Sequence, residues 1–340
     1  MIRGLVIGKF YPPHRGHHHL IDYATTRVDH LDVVVCSRPD QGIRGEVRAS
    51  WLRERHPNAD VTVVQDICDD DNSRAWADYT RSFLGYAPDI VFTSEPYGDT
   101  YAGFLRARHI AVDPSRRRVA ICATNIRRDP LANWQFLEPP VRAHFAVRVC
   151  VVGAESTGTT TMAQKLAEHF KTLWVPEYGR DYWVKKSGLE GPFGAWKTDE
   201  FIHVATEQQK LEDELARSCS GLLICDTDAL ATSIWHERYV GSRSDEVRQI
   251  AARRSYPLYF LTDCDIPFVQ DGTRDGEHIR PWMTRRFQEE LSRIGANWKL
   301  LTGDIDRRLN QAIGEIESLL LRKPTSLPDP TQIDSQRPVP

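Results

Sequence analysis

The sequence lacks a long apolar segment and a strong excess of charge of either sign. Its longest apolar runs are short, such as residues 222–225, whereas a helix that spans a bilayer needs ~20 apolar residues. Lys and Arg number 44 against 47 Asp and Glu, which gives a formal net charge of −3. This balance excludes a protein that holds nucleic acid by bulk positive charge. We therefore expect neither a membrane segment nor a nucleic-acid partner.

Cysteine is scarce and scattered. The seven cysteines form an odd set without any C-x-x-C spacing, which argues against a disulfide framework or a zinc site. The first residues run directly into a strand-like segment, and no apolar signal-peptide region precedes it. We therefore expect buried thiols in a cytoplasmic protein. The sequence leaves the oligomeric state open, including a homo-oligomer.

Short β-rich runs alternate with helical patterns along the whole chain, which predicts an α/β fold with parallel sheets. A length of 340 residues suggests two domains at ~150 residues each. The strand pattern restarts near residue 147, so we predict one domain over 1–145 and a second over 146–322. The Pro- and Ser-rich remainder, 323–340, is expected to be a disordered tail. The predicted strands cover 5–7, 33–35, 61–64, 90–92, 147–152, 221–226 and 257–262, and later helices are expected near 199–218, 281–294 and 304–321.

The segment after the first strand carries two histidines around a glycine, His14-Arg15-Gly16-His17. At a junction between a strand and a helix, both imidazoles can face one pocket and donate hydrogen bonds to phosphate oxygens. Gly16 is expected to leave room for a phosphate group, and the opening helix offers free N–H groups. The next two residues, His18 and His19, are assigned to the helix surface.

The pattern G-K-F-x-P-x-H-x-G-H at 8–17 resembles the HxGH nucleotidyltransferases, and in particular their nicotinamide mononucleotide adenylyltransferase branch. Residues 121–127 are similar to the I-S-x-T-x-I-R motif of that branch, with Cys122 where serine is usual. The resemblance implies a Rossmann-like sheet, and we expect Arg127 to open or precede a helix. Arg128 is either a second phosphate ligand or an ordinary exposed arginine, and we favour the exposed arginine. The implied ATP site comprises Gly8, Lys9, Phe10, His14, His17, Thr124 and Arg127, of which Lys9, His14, His17 and Arg127 are expected to be catalytic.

This resemblance implies adenylyl transfer. The 5′-phosphate oxygen of a mononucleotide attacks the α-phosphorus of ATP in line, and pyrophosphate leaves. Because the attacking phosphate is already nucleophilic, catalysis needs only positioning and charge stabilisation by the site residues and Mg²⁺.

The identity of the mononucleotide is inferred from Trp76, which the resemblance places against a pyridinium ring. Alternatively, Trp76 anchors an amphipathic helix with Tyr79 and Phe83. The preceding Asp69-Asp70-Asp71 is expected to be a solvated loop, and 94–98 resembles an S-E-x-Y-G segment at the mouth of the same cleft.

A second glycine-bounded loop, residues 153–161, lies between a predicted strand and helix, where a P-loop belongs. The P-loop template is G-x-x-x-x-G-K-[ST], and Thr159 stands at the position of its lysine. Loss of one such donor costs roughly 3 kcal/mol, or about two orders of magnitude in rate. Thr160 remains available for Mg²⁺. The predicted phosphate-binding residues are Gly153, Glu155, Ser156, Thr157, Gly158, Thr159, Thr160 and Thr161.

The second half resembles the ribosylnicotinamide kinase domain of NadR-type proteins through three segments, at 177–180, 226–228 and 271–274. The resemblance implies that Asp226 is catalytic and, with Thr160, holds Mg²⁺. The alternative is that Asp226 caps the following helix. Arg274 or Arg280 is expected to supply the missing lysine charge. The implied residues of the kinase substrate site and lid are Glu177, Tyr178, Arg180, Asp228, Arg274 and Arg280.

Taken together, the motifs predict a bifunctional enzyme of NAD synthesis with ATP, nicotinamide mononucleotide, nicotinamide riboside and NAD as its ligands. One alternative keeps the adenylyltransferase but makes the second half a non-catalytic nucleotide sensor, because Thr159 replaces the lysine. Another is a nucleotidyltransferase that acts on a different nucleotide or phosphate. A class I tRNA synthetase also carries H-x-G-H, but no K-M-S-K-S-like segment is present.

Overall fold

The computed structural model describes residues 1–69, 71–190, 195–270 and 276–322. They form two compact units that separate after Val141. Each unit is built on its own five-stranded parallel sheet, so the α/β fold predicted from the sequence is confirmed. The predicted tail, 323–340, lies outside the described residues. Within the described part of the chain, no helix combines the length and apolar character that crossing a bilayer requires.

The first unit has the strand order β3-β2-β1-β4-β5. Its strands are β1 (Arg3–Gly8), β2 (His30–Ser37), β3 (Asp60–Gln65), β4 (Ile90–Thr93) and β5 (Arg108–Ala111). Its helices are α1 (Arg15–Thr25), α2 (Gly45–Arg55), α3 (Ser73–Leu84), α4 (Gly98–Leu105), α5 (Ala123–Arg128) and α6 (Pro139–Phe145), the last of which crosses the boundary between the units. Because β1 pairs with both β2 and β4, the strand order reverses beside β1. In open α/β sheets, ligands bind at such a switch point.

Both faces of this sheet are buried. Val33 and Val35 of β2 pack with α1 and α2 on one face, whereas Val34 and Cys36 pack with α3 and α4 on the other. This alternation follows from the two-residue period of a strand. The apolar runs read from the sequence are therefore buried strands with a helical layer on each side.

The second unit has the order β10-β9-β6-β8-β7. Its strands are β6 (Val147–Gly153), β7 (Leu173–Val175), β8 (Leu222–Asp226), β9 (Leu258–Thr262) and β10 (Trp298–Leu301). Its helices are α7 (Thr159–His169), α8 (Tyr178–Glu190), α9 (Thr198–Ala216), α10 (Ala229–Val240), α11 (Asp245–Ala251), α12 (Arg280–Arg293) and α13 (Ile305–Leu321). The central strand β6 leads directly into the glycine-bounded loop and then into α7.

Three strands were not predicted, namely β5, β7 and β10. Each has three or four residues, and each lies at the edge of its sheet. An edge strand is partly exposed, so its sequence lacks the continuous apolar run by which a central strand is recognised.

Candidate functional sites

A cavity of about 760 Å³ opens in the first unit beside the carboxyl end of β1. It is lined by residues from both sequence motifs, which are more than 100 positions apart in the chain. The fold therefore brings the two motifs to one place at the switch point of the sheet. The predicted residues that line the cavity are Gly8, Lys9, Phe10, His14, His17, Trp76, Thr124 and Arg127.

His14 and His17 form the start of α1. His14 is the N-cap residue, and its Nδ1 accepts a hydrogen bond from the backbone N–H of Gly16 at 3.1 Å. This bond assigns the ring proton to Nε2. The rings of His14 and His17 stack with their centroids 3.8 Å apart. A Cβ atom at Gly16 would lie 2.9 Å from Cε1 of His14, so the glycine is required by the histidine ring itself.

Both imidazoles are neutral near neutral pH. Burial, followed by the charge of neighbouring groups, lowers the pKa of His14 to about 3 and the pKa of His17 well below its ordinary value. The two rings can therefore donate N–H groups to a phosphate without carrying positive charge. Within the described residues, the buried Nδ1 of His17 has no hydrogen-bond partner. A buried polar atom without a partner is rare in folded proteins and is typical of a ligand site.

Arg127, Lys9 and Arg116 bring positive charge to the cavity. Arg127 is buried and donates hydrogen bonds to the carbonyl oxygen of Tyr11 at 2.9 Å and to Oγ1 of Thr124 at 3.0 Å. The expectation that Arg127 opens or precedes a helix is wrong, because α5 begins four residues earlier and Arg127 lies in its last turn. Lys9 Nζ lies 3.8 Å from Oδ2 of Asp66. Arg116 was missed, although the basic run at 116–118 was visible in the sequence.

The surface assignment of His18 is also wrong. His18 is only 4% exposed, and its Nδ1 lies 2.8 Å from Nε2 of His56 at the end of α2. His19 lines the cavity. The first turn of α1 packs against the rest of the unit on more than one side. Three consecutive histidines give no amphipathic pattern from which this burial could be predicted. Arg128 is exposed, as expected.

Trp76 both packs in the core and borders the cavity, so its position is compatible with the packing role and with the ring-binding role. It is 9% exposed, packs in the core with Ala77 and Tyr101, and donates from Nε1 to the carbonyl oxygen of Asp69 at 3.2 Å. It also lines the cavity. The loop before it is exposed at Asp69 and Asp71, of which Asp71 borders the cavity, whereas residue 70 lies outside the described residues. Ser94, Glu95 and Tyr97 complete the same wall.

A second cavity of about 330 Å³ lies in the second unit over the glycine-bounded loop. The loop connects β6 to α7, so the free N–H groups at the start of α7 face an incoming anion. The predicted residues that line this cavity are Gly153, Glu155, Ser156, Gly158, Thr159, Thr160, Thr161, Glu177 and Arg180.

Thr160 and Asp226 form a pair of oxygen donors beside the loop. Oγ1 of Thr160 donates to Oδ2 of Asp226 at 2.5 Å, so the alternative that Asp226 caps the following helix is wrong. Burial raises the pKa of Asp226, and burial together with the charge of Asp226 raises the pKa of Glu177. A hydroxyl and carboxylates are the ligands that Mg²⁺ prefers, and a cation would relieve the repulsion between the two acids. The donor set therefore fits Mg²⁺ completed by water or phosphate.

Several predicted residues have structural contacts instead. The buried Thr157 donates from Oγ1 to the carbonyl oxygen of Ala154 at 2.7 Å, which holds the loop from below. Asp228 is the cap of α10, where it accepts from the backbone N–H of Ala231 at 2.8 Å and from the hydroxyl of Tyr259 at 2.8 Å. Within D-T-D, the first acid therefore meets the loop, and the second caps the helix and binds Tyr259 of β9.

The other predicted substrate and lid residues lie outside the cavity lining or outside the described residues. The hydroxyl of Tyr178 lies 3.1 Å from Nε2 of His203. Arg280 donates to the carbonyl oxygens of Ser156 and Ile266. Arg274 lies outside the described residues.

An aromatic wall closes the second cavity, and the sequence reading missed it. We call this group the aromatic wall; it consists of Trp183, Trp196, Phe201, Trp235 and Tyr239. Trp183 stacks on Trp196 with centroids 5.5 Å apart, and Trp235 stacks on Tyr239 at 6.0 Å. The i, i+4 spacing in α10 was a visible signal, but aromatic residues at helical spacing are as typical of a core as of a site.

Known proteins are similar to this chain in sequence and in fold. A family model described as an AAA domain matches residues 148–308. The chain is 27% identical over 293 residues to the trifunctional NAD biosynthesis/regulator protein NadR of Escherichia coli (strain K12), covering 80% of this chain and 71% of that protein. It is 24% identical over 192 residues to the nicotinamide-nucleotide adenylyltransferase of Pyrococcus horikoshii, covering 52% of this chain and 100% of that enzyme.

Solved structures agree on the fold. A crystal structure of a NadR protein in complex with NR has a TM-score of 0.75 at 21% identity, covering 93% of this chain and 95% of that chain. One in complex with NAD and AMP-PNP has a TM-score of 0.72 at 21% identity, covering 93% of this chain and 96% of that chain. The resemblance to NadR-type proteins, predicted from the motifs, is confirmed.

Proposed function

We propose that this chain makes NAD in two steps, one in each unit. The second unit transfers the γ-phosphoryl group of ATP to nicotinamide riboside. The first unit joins the resulting nicotinamide mononucleotide to the adenylyl group of ATP and releases pyrophosphate. The observation that carries the proposal is the cavity of the first unit, where residues from both adenylyltransferase motifs meet at the carboxyl end of β1.

In the first cavity, the chain's own groups position and stabilise phosphate. The neutral His14 and His17 donate N–H groups at the start of α1, where the helix dipole also favours negative charge. Tyr11 and Thr124 hold Arg127 at the wall of the cavity, where its positive charge can stabilise the leaving pyrophosphate. Lys9 adds a further charge. When bound, Mg²⁺ neutralises charge on the triphosphate.

In the second cavity, the loop cradles the phosphates of ATP, and Thr160 with Asp226 would hold Mg²⁺. The aromatic wall lies in the same cavity. A nicotinamide ring attached to ribose is a flat cation, and electron-rich aromatic faces attract such a ring. We therefore assign the riboside to the aromatic wall, with Glu177 and Arg180 at its edge.

These assignments give residues 1–145 the adenylyl transfer and residues 146–322 the phosphoryl transfer. The ligands are ATP, nicotinamide riboside, nicotinamide mononucleotide and NAD. A cytoplasmic location and the absence of a nucleic-acid partner stay predictions from composition.

The product assay that tests this function uses the full chain with ATP and Mg²⁺. With nicotinamide mononucleotide we expect NAD and pyrophosphate, and with nicotinamide riboside we expect ADP and the mononucleotide, followed by NAD. Chromatography with mass detection identifies each product. If another phosphate compound, such as a cytidine nucleotide or pantetheine phosphate, is adenylylated in preference to the nicotinamide compound, the proposed substrate is wrong. If ATP binds the second unit but no ADP forms from the riboside, the sensor alternative is correct.

Trp76 provides a test of the nicotinamide assignment. Trp76→Ala is expected to raise the KM for nicotinamide mononucleotide about 5- to 30-fold, the size of one ring–cation contact, while the KM for ATP changes less than about threefold. The matched control is Tyr79→Ala. The ring centroids of Tyr79 and Trp76 lie 6.0 Å apart in the same core, but Tyr79 does not line the cavity. Steady-state kinetics in both substrates measure the split. Equal changes in the two KM values, or the same result for Tyr79→Ala, would mean that Trp76 serves packing alone.

A further inference from the structure

The loop over the second cavity lacks its lysine but is held by three arginines from three different helices, of which Arg280 and Arg308 are buried. Each contacts one of three consecutive loop residues. Arg238 of α10 donates to Oε1 of Glu155 at 2.8 Å. Arg280 of α12 donates to the carbonyl oxygen of Ser156 at 3.3 Å, and Arg308 of α13 donates to the carbonyl oxygen of Thr157 at 2.7 Å. None of the three lines the cavity, so they act on the loop from behind.

The charges of these arginines are not balanced equally. Arg238 is paired with Glu155, and Arg308 is paired with Asp265. Arg280 is 6% exposed, and no carboxylate in the described part of the chain forms an ion pair with it. Its second contact is another carbonyl oxygen, of Ile266 at 2.9 Å, and its Nε has no hydrogen-bond partner among the described residues. A buried guanidinium without a counter-ion is costly unless an anion comes close to it.

The arginine contacts fix the orientation of the peptide groups of the loop. In a trans peptide the carbonyl oxygen and the following N–H point in opposite directions. Since the carbonyls of Ser156 and Thr157 face the arginines, the N–H groups of Thr157 and Gly158 face away from them. Ser156 and Gly158 have left-handed φ values of 56° and 85°, a conformation in which successive N–H groups form an anion-binding concavity.

We propose that Arg280 replaces the missing P-loop lysine as a positioning residue. It supplies the net positive charge beneath the loop and, together with Arg308, holds the peptide N–H groups toward the β- and γ-phosphates of a nucleoside triphosphate without touching them. Thr159 is then tolerated because the positive charge is supplied by Arg280, on the side of the loop that faces away from the cavity, and not by a lysine on the cavity side. This inference rests on the proposed kinase function for its ligand, but its test can be made on nucleotide binding alone.

The test is a double-mutant cycle between Arg280→Met and Thr159→Lys in the full chain. We expect Arg280→Met to weaken binding of the ATP analogue AMP-PNP with Mg²⁺ by about 10- to 100-fold, which is at most the loss from removing a direct phosphate donor, because Arg280 acts through the loop. Thr159→Lys in the otherwise unchanged chain should gain less than about threefold, whereas in the Arg280→Met background it should recover most of the loss. Isothermal titration calorimetry in saturating NAD, which occupies the proposed site of the first unit, measures each AMP-PNP affinity of the second unit. The kcat/KM for riboside phosphorylation is measured beside it.

Two further variants separate charge from structure. Arg280→Lys keeps the charge and should retain affinity within about tenfold, better than Arg280→Met. Arg286→Met is the matched control, because Arg286 lies on the same helix, is 7% exposed and is paired with Glu237 and Glu290, away from the loop. It should lower the melting temperature, and Thr159→Lys should not restore any AMP-PNP affinity that it loses.

The proposal is overturned if Thr159→Lys gives the same gain with and without Arg280, or if Arg280→Lys and Arg280→Met are equally poor binders in folded protein. A chain that binds AMP-PNP but does not phosphorylate the riboside contradicts the proposed kinase and leaves the binding cycle to decide the role of Arg280. The two failures are therefore distinguishable.

Discussion

His17→Ala is expected to lower kcat for adenylyl transfer by about 100- to 1,000-fold, the cost of removing one preorganised donor from a phosphate site. The buried Nδ1 of His17 has no protein partner among the described residues, so the side chain is held for a ligand and not for the core. The KM for nicotinamide mononucleotide should change much less than kcat, because the lost interaction acts mainly in the transition state. Initial rates of pyrophosphate release measure both constants.

Two variants accompany this measurement. His17→Asn keeps a neutral N–H donor and should lose less than His17→Ala, because burial already keeps the imidazole neutral. Arg15→Ala is the matched control on the same helix, since the Arg15 side chain is 54% exposed and does not line the cavity. Near-normal kcat in a folded His17→Ala protein would remove His17 from the site.

Asp226→Asn is expected to abolish at least 99% of riboside phosphorylation and to leave adenylyl transfer unchanged, about a 100- to 1,000-fold loss confined to one unit. The amide can still accept the hydrogen bond from Thr160, so the loop keeps its shape while the negative charge for Mg²⁺ is lost. ADP release with nicotinamide riboside and NAD formation from nicotinamide mononucleotide are measured on the same preparation.

Asp228→Asn is the matched comparison two residues away. Asp228 caps α10, and asparagine is as good a helix cap as aspartate, so this variant should keep most of its phosphorylation rate. Equal losses in the two variants would show that the segment matters for folding and would remove Asp226 from the metal site.

Central strands carry a stronger sequence signal than most edge strands of the two sheets. The central strands β1, β2, β6 and β8 were predicted because both faces are buried and their sequences are continuously apolar. Three of the four edge strands, β5, β7 and β10, were missed because they are short and partly exposed, whereas the longer edge strand β3 was predicted over 61–64. In both cases the burial of the strand controls how strong its sequence signal is.

Site residues divide in a similar way. His14 and His17 were predicted from a local pattern, because a histidine cap, a glycine and a helix start all fall within four residues. Arg127 was placed in the correct motif but at the wrong end of its helix. His18 was misassigned because its burial depends on His56, which is 38 positions away in the chain. The pattern D-T-D likewise gave no sign that Asp226 meets Thr160 while Asp228 faces Tyr259.

The sequence alone determined the parallel α/β architecture, the two candidate phosphate-binding loops and the resemblance to NadR-type proteins, because each depends on residues that are close together in the chain. The tertiary structure decided which distant groups surround those loops. It joined residues 8–17 with 121–127 in one cavity, built the aromatic wall from α8, α9, α10 and the segment before α9, and brought Arg238, Arg280 and Arg308 behind the loop that lacks its lysine. These contacts span up to 151 positions, and only the packing of helices on the sheet sets them.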